Sequence, residues 1–125
     1  MTQKLKILVV DDQAIIGELF KITLGYKGHE VIYVQDPRKV AEAIGRGELD
    51  IAFIDIVMPN KDGLEVLKEV REFFPKLPVI MMSGYSMSEQ RSEAMRLGAM
   101  MCLQKPFAGE EISKIIKDVV MGRKA

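Results

Sequence analysis

The stretch DIAFIDIVMP at residues 50–59 is an apolar run of strand length that carries a carboxylate, Asp55, towards its far end. The cluster PNKDG, which begins at Pro59, then stops the strand and turns the chain. An almost unbroken apolar run is typical of a strand that is buried on both faces, as in a parallel sheet. We therefore predict that Asp55 lies at the edge of a sheet, where a buried strand ends.

The same alternation of an apolar run and a helix-spaced segment continues on both sides of this stretch. Further strands are predicted at residues 5–10, 31–34, 79–82 and 100–103, and the predicted helices end near residues 26, 45, 74, 97 and 121. Strict alternation with short loops predicts an α/β fold, with a parallel sheet covered by helices on both faces. Right-handed crossovers restrict this fold to a doubly wound five-stranded sheet, since five units are too few for a closed barrel.

Helical spacing and capping signals also predict how the helices sit on the sheet. The first helix is predicted to bury one apolar stripe, made of Ile15, Leu19, Ile22 and Tyr26. The second is predicted to begin at Asp36-Pro37 and to turn three residues inward, namely Val40, Ala43 and Ile44. Ser86 and Glu89 match a capping box at the start of the fourth helix.

Length and composition exclude several classes of protein. The 125 residues suit one domain, residues 1–125 with a core of about 4–121. Eighteen basic and eighteen acidic residues cancel, which argues against direct nucleic-acid binding through an overall field. The single Cys102 excludes an intramolecular disulfide and a multi-cysteine metal site. No apolar run approaches the roughly 20 residues that span a bilayer and the N-terminus does not fit a signal peptide, so we expect a cytoplasmic protein without membrane insertion.

Charged or hydroxyl side chains follow four of the five predicted strands. In an open parallel sheet, ligands bind outside the carboxyl ends of the strands, where the strand order reverses. The side chains placed there are Asp11 and Asp12 after strand one, Asp55 after strand three, Ser83 after strand four and Lys105 after strand five. Strand two supplies only Gln35, which suits the edge strand of the order 2-1-3-4-5. We predict that these side chains form one site.

The chemistry of this set favours phosphoryl transfer. Three converging carboxylates repel each other, and a hard cation with oxygen ligands relieves that repulsion; Mg²⁺ is the natural choice, and Mn²⁺ can take its place. Lys105 adds a second positive charge. The cation and Lys105 would neutralise phosphate oxygens, Ser83 would donate a hydrogen bond, and Asp55 would attack phosphorus.

Over residues 4–121 the chain resembles the receiver domain of two-component response regulators, which includes the single-domain chemotaxis regulator and has a flavodoxin-like (βα)5 fold. The motifs that carry the resemblance are VVDD at 9–12, DIVMP at 55–59, DG at 62–63, MSGY at 82–85 and KPF at 105–107. The resemblance implies that Asp55 is the phosphoacceptor. It also implies that Asp12, Asp55 and the Val57 carbonyl bind the metal, with Asp11 acting partly through water.

Further roles follow from the same resemblance. Ser83 is similar to the switch hydroxyl that follows the phosphoryl group, and Lys105 to the family's lysine, which precedes a cis peptide bond to proline. Cys102 stands where the family often has an aromatic switch residue, and we interpret it as a small core residue. Val57 and Tyr85 occupy positions that tune dephosphorylation. An apolar residue at 57 orients an attacking water poorly, so we expect a long-lived phosphoryl group.

The resemblance implies a regulatory switch rather than an enzyme acting on an external substrate. A sensor histidine kinase or a histidine phosphotransfer protein would supply the phosphoryl group. An output partner would bind the face formed by the fourth helix, fifth strand and fifth helix, where methionines are concentrated and the fourth helix has few apolar anchors. The chain is either a stand-alone receiver or one cut from a longer protein. His29 is interpreted as a surface residue.

Two other functions fit a similar α/β sheet. A Mg²⁺-dependent phosphatase with an aspartate nucleophile needs a second aspartate two residues further on, and Val57 stands there. A flavodoxin-like cofactor binder needs a Ser/Thr/Gly-rich phosphate loop after strand one, where Asp11 and Asp12 would repel a phosphate. The phosphatase remains the alternative to the switch.

Overall fold

The structure is a computed structural model that describes residues 4–45 and 47–124. Within these residues, five parallel strands form one sheet in the order β2-β1-β3-β4-β5. The strands are β1 (Lys6–Val10), β2 (Glu30–Val34), β3 (Ile51–Asp55), β4 (Val79–Ser83) and β5 (Met101–Gln104). The predicted fold class and strand order are confirmed, and β2 lies at an edge.

Helices cover both faces of this sheet. They are α1 (Ala14–Gly25), α2 (Val40–Ile44), α3 (Gly63–Phe73), α4 (Ser88–Arg96) and α5 (Gly109–Lys124), with a 3₁₀ turn (Pro37–Lys39) ahead of α2. Side chains of α1 and α5 pack into one apolar core, and those of α2, α3 and α4 pack into the other. The described residues contain no helix that is long and apolar enough to cross a membrane.

Strand β3 lies at the centre of the sheet, and all of its residues are buried. Its alternate side chains enter opposite cores, so that Ile54 joins the α2–α4 side while Phe53 packs against Phe20 of α1, with ring centroids 4.7 Å apart. Register pairs Asp55 with Met82 of β4. The apolar run that precedes Asp55 therefore fixes its carboxylate at the carboxyl edge of the sheet.

The stripe predicted for α1 is wrong for three of its four residues, because the helix turns a neighbouring face inward; Leu19 packs against the core as predicted. Ile15, Ile22 and Tyr26 are exposed, and Tyr26 is 94% accessible. The buried residues of α1 are Gly17, Phe20 and Leu24. Gly17 explains the rotation: a Cβ there would lie 2.6 Å from the ring of Tyr33, so the aromatic ring of β2 takes the space that a side chain of α1 would fill.

Two further local predictions need correction. Ala43 is exposed, since the segment after Asp36 begins as a 3₁₀ turn and leaves only a short α2, although Asp36 caps it as predicted by accepting from the Arg38 N–H. The capping box at α4 does not form. Met87 is the N-cap residue without a side-chain bond, and Ser86 instead has a left-handed backbone with φ of 59°.

Candidate functional site

Three carboxylates meet at the carboxyl edge of β1 and β3. Asp11, Asp12 and Asp55 each place an oxygen within 4.8 Å of the others, a grouping able to hold a metal ion. Asp11 is fully buried and Asp55 is only 6% exposed, whereas Asp12 is half-buried. The strand ends bring these residues together as predicted, and they bury two of the three acidic groups.

Lys105 connects these carboxylates to the end of β5. Its Nζ lies 2.8 Å from Asp11 Oδ2 and 3.1 Å from Asp55 Oδ2. It also donates to Gln13 Oε1 at 3.1 Å, a contact that crosses from the β5–α5 loop to the start of α1. The predicted cis peptide bond between Lys105 and Pro106 is present.

Burial, and secondly the charge of Asp11, raise the pKa of the Asp55 carboxyl to about 6, although Lys105 opposes both effects. Burial lowers the pKa of Lys105, but its contact with Asp11 and the charge of Asp55 outweigh burial and leave that pKa raised. One ammonium thus faces three carboxylates, so the site has an excess of negative charge. Oxygen ligands with excess negative charge fit a Mg²⁺ ion.

Ser83 lies at the end of β4, on the same edge of the sheet, and its hydroxyl is unpartnered among the described residues. The side chain is fully buried, and Oγ makes no hydrogen bond to the residues that the structure describes. Its carbonyl accepts from the Lys105 N–H at 2.7 Å, which ties the end of β4 to the lysine. The next N–H, that of Gly84, donates to the thioether of Met87 at 3.2 Å. Ser83 is therefore positioned but has its hydroxyl available for a ligand.

The DG pair at 62–63 supports Asp55 from the other side. Asp62 caps α3 by accepting from the Glu65 N–H at 3.0 Å. Gly63 lies against the β3 backbone, because its N–H donates to Ile56 O at 2.7 Å and an added Cβ would lie 2.0 Å from Asp55 O. Only glycine allows the first turn of α3 to pack this closely on the phosphoacceptor predicted at 55.

Strand β2 does more than the sequence indicates. The Tyr33 hydroxyl donates to Asp11 O at 2.7 Å, and the Gln35 side-chain amide donates to Asp12 O at 3.1 Å. Tyr33 reads in the sequence as an ordinary strand residue, so nothing in the pattern indicates this role. The nearest signal is Gly17, whose missing side chain makes room for the ring.

Four further residues named in the sequence analysis lie around the site or elsewhere on the sheet, and one of them is more buried than predicted. Val57 and Tyr85 are exposed beside the site, which suits residues that control access to it. Cys102 is a free, partly buried thiol packed against the α2–α4 core, as predicted, and burial raises its pKa. His29 is half-buried rather than fully at the surface, and its Nδ1 accepts from the Leu5 N–H at 3.0 Å.

Comparison with known proteins places this geometry in a family. The model of the response regulator receiver domain matches residues 7–117. This chain belongs to the response regulator receiver domain family. Such domains act in phosphorylation-dependent signalling, bind Mg²⁺ at an acidic pocket, and work with histidine kinases and output domains.

The chain is similar both to longer response regulators and to a protein of its own length. It is 34% identical over 107 residues to the response regulator MprA of Mycolicibacterium vanbaalenii, covering 86% of this chain and 46% of MprA. NtrX of Brucella abortus superposes with a TM-score of 0.89 at 31% identity, covering 98% of this chain and 28% of NtrX. A CheY-like receiver domain protein of Methanospirillum hungatei gives a TM-score of 0.88 at 26% identity, with 98% of both chains covered. The chain thus spans less than half of the first two relatives.

Proposed function

We propose that this chain is a phosphoacceptor switch that takes a phosphoryl group onto Asp55 in a Mg²⁺-dependent reaction and thereby changes a partner-binding face. The observation that carries the proposal is a buried carboxylate, Asp55, held 3.1 Å from Lys105 Nζ and grouped with two more carboxylates. A structural ion pair would need one carboxylate for one ammonium. Residues 4–121 form the proposed receiver core, in keeping with the family match over residues 7–117.

In the proposed reaction, an Asp55 oxygen attacks phosphorus while the bond between phosphorus and a histidine nitrogen of the donor breaks, leaving the electron pair on that nitrogen. Asp12, Asp55 and the Val57 carbonyl would hold Mg²⁺, with Asp11 beside it. Bound there, Mg²⁺ neutralises charge on the transferring oxygens. Lys105 neutralises a further oxygen, since it already lies on Asp55, and the free Ser83 hydroxyl donates to the product.

The side chains around the entrance favour a slow return to the unphosphorylated state. Val57 and Tyr85 are both exposed and stand on the loops that follow β3 and β4. Neither offers a group at the mouth of the site that is well suited to activate water, because Val57 is apolar and a phenol is a weak base near neutral pH. The same absence of an acid/base residue at 57 argues against the phosphatase alternative.

The phosphoryl donor would be a sensor histidine kinase or a histidine phosphotransfer protein, docked beside the site. Ile15 and Ile22 are exposed two turns apart on α1. The residue before that helix, Gln13, contacts Lys105. An exposed apolar stripe that begins next to the acceptor suits a partner that delivers phosphate.

The output face would lie on α4, β5 and α5. Only Ala94 is fully buried within α4, so little apolar area holds that helix on the sheet. Met95 and Met100 are exposed there, and flexible thioether side chains suit adaptable contacts. Movement of Ser83 towards a phosphoryl group would shift Gly84, which follows it, and so displace the start of α4.

The test is incubation with Mg²⁺ and acetyl phosphate, followed by intact-protein mass spectrometry. We expect wild type to gain the mass of one phosphoryl group, and Asp55→Asn to gain none. Chelation of Mg²⁺ should abolish the gain. Equal modification of Asp55→Asn, or no modification of wild type, would contradict the proposal.

A further inference from the structure

Two side chains at the carboxyl end of β2 bind the backbone that carries the acidic pair. Tyr33 lies in the strand, and Gln35 directly follows its last residue, Val34. Tyr33 Oη donates to Asp11 O at 2.7 Å and Gln35 Nε2 donates to Asp12 O at 3.1 Å. We call these two residues the β2 clamp.

The β2 clamp bonds to the part of the backbone that lies just beyond the end of the β1–β2 ladder. The parallel ladder between β1 and β2 ends at the pair Val10 and Val34, and one further backbone bond joins Asp11 N to Val34 O at 3.2 Å. Beyond that point the β1 backbone enters a loop. The clamp adds two bonds to successive carbonyls there, and so extends the support of the sheet to the residues whose carboxylates line the site.

The ring of Tyr33 packs against α1. Space for it exists because residue 17 is glycine, where an added Cβ would lie 2.6 Å from the ring. Lys21 Nζ lies 5.5 Å from the ring centroid, a cation–π distance. A phenol hydroxyl keeps its proton near neutral pH, so Tyr33 Oη is available there as a donor.

We propose that Tyr33, assisted by Gln35, is a positioning residue for metal binding: it fixes the backbone of Asp11 and Asp12 in the geometry that receives Mg²⁺. This inference rests on the proposed function and adds residues of the edge strand to it. Groups that orient metal ligands raise affinity because the ligands lose less freedom on binding. Without the clamp, the loop that carries Asp11 and Asp12 would lose more conformational freedom when the ion binds, and the affinity would be lower.

The experiment measures Mg²⁺ binding by calorimetry and by amide NMR shifts, with no phosphoryl donor present. Tyr33→Phe keeps the ring on Gly17 and removes only the donor. One lost hydrogen bond of about 1 kcal/mol corresponds to roughly fivefold weaker binding. Tyr26→Phe is the matched control, since Tyr26 is almost fully exposed. It should bind Mg²⁺ as wild type does.

A second variant covers the case in which Tyr33→Phe perturbs folding. Gln35 is exposed, so Gln35→Ala should fold normally and weaken Mg²⁺ binding by a smaller factor, about twofold. Equal Mg²⁺ affinity in wild type, Tyr33→Phe and Gln35→Ala would overturn the clamp, even if Tyr33→Phe unfolds more easily. Absence of binding by wild type would instead overturn the proposed function itself, and the clamp with it.

Discussion

Helices α3 and α4 lie side by side on one face of the sheet, yet they are attached to it differently. Four residues of α3 are buried, namely Gly63, Val66, Leu67 and Val70, and Asp62 caps its start. Within α4 only Ala94 is buried, and no side chain caps its start. The α3 side holds Asp55 in place, whereas the α4 side leaves Ser83 with an unpartnered hydroxyl.

This difference suits a switch, because one edge of the sheet then has a firmly held helix beside a weakly held one. An acceptor for phosphoryl transfer needs fixed geometry, because misplacement of the attacking oxygen slows the reaction. A readout needs an element whose position changes at low cost, and weakly anchored segments have low local stability. In the proposed switch, the loops after β3 and β4 would divide these tasks between α3 and α4.

Glycine replacements should separate the two sides most strongly. At Gly63 an added Cβ meets backbone 2.0 Å away, which cannot move aside cheaply, so we expect Gly63→Ala to lower the free energy of unfolding by about 3 kcal/mol. At Gly84 the nearest atom is Met87 Sδ at 3.9 Å, and Gly84→Ala should change stability by less than about 1 kcal/mol. Urea unfolding measures both. Similar losses at the two positions would contradict the comparison.

The buried charge of Asp55 should make the metal-free protein less stable as pH rises. Its pKa is raised to about 6, above the ordinary 3.8, so the folded state binds this proton more tightly than the unfolded state. The free energy of unfolding should therefore fall between about pH 4 and pH 6, on the order of 2 kcal/mol from this group.

Asp55→Asn supplies the control for this pH effect. The amide carries no charge at any pH, so the variant should lack that decline and should be more stable than wild type above about pH 6 without Mg²⁺. Denaturation with urea at several pH values in the presence of a chelator gives the comparison. An identical pH profile for the two proteins would show that burial does not raise the pKa of Asp55.

Caps should distinguish the helices by a smaller amount. Asp62→Ala removes the acceptor of the Glu65 N–H and should cost about 1 kcal/mol. Ser86→Ala at the start of α4 removes no capping bond, although alanine also tolerates the left-handed backbone poorly, so we expect no more than about half of that loss. Thermal unfolding resolves the two values. A larger loss at Ser86 than at Asp62 would contradict the expected difference between the two helices.

The smallest expected effect concerns the thioether that accepts from Gly84. Met87→Leu keeps most of the apolar volume and removes the acceptor, so stability should fall by less than about 1 kcal/mol. The readout is the Gly84 amide in NMR, which should shift upon substitution. Met95→Leu on the exposed side of α4 is the control, and an unshifted Gly84 amide in Met87→Leu would show that the bond is not formed in solution.

Much of this arrangement could be predicted because it depends on strand periodicity. Apolar runs and short loops predict the sheet order, and the strand order brings Asp11, Asp55, Ser83 and Lys105 to one edge. Periodicity could not predict which face of α1 is buried. Ile15 and Ile22 of this helix have the right spacing for burial, but the ring of Tyr33 against Gly17 decides which face turns inward.

Contacts between side chains and loop backbone were also beyond the sequence pattern. Tyr33, Gln35 and Gln13 have no unusual spacing, and their roles depend on where the β1 loop and Lys105 lie in space. The capping box failed for a similar reason: Met87 packs inward and takes the N-cap position, which leaves Ser86 in a turn. Local motifs lose to tertiary packing at these positions.

Phosphorylation of Asp55 and its readout through α4 are tested together by amide NMR of the protein with Mg²⁺ and beryllofluoride, a phosphoryl mimic. We expect wild type to show large shifts at Ser83, Gly84 and α4, with small shifts along α3 beyond its first turn. Asp55→Asn should show none of these shifts. Shifts of equal size in Asp55→Asn, or a response confined to α3 in wild type, would rule out the proposed switch.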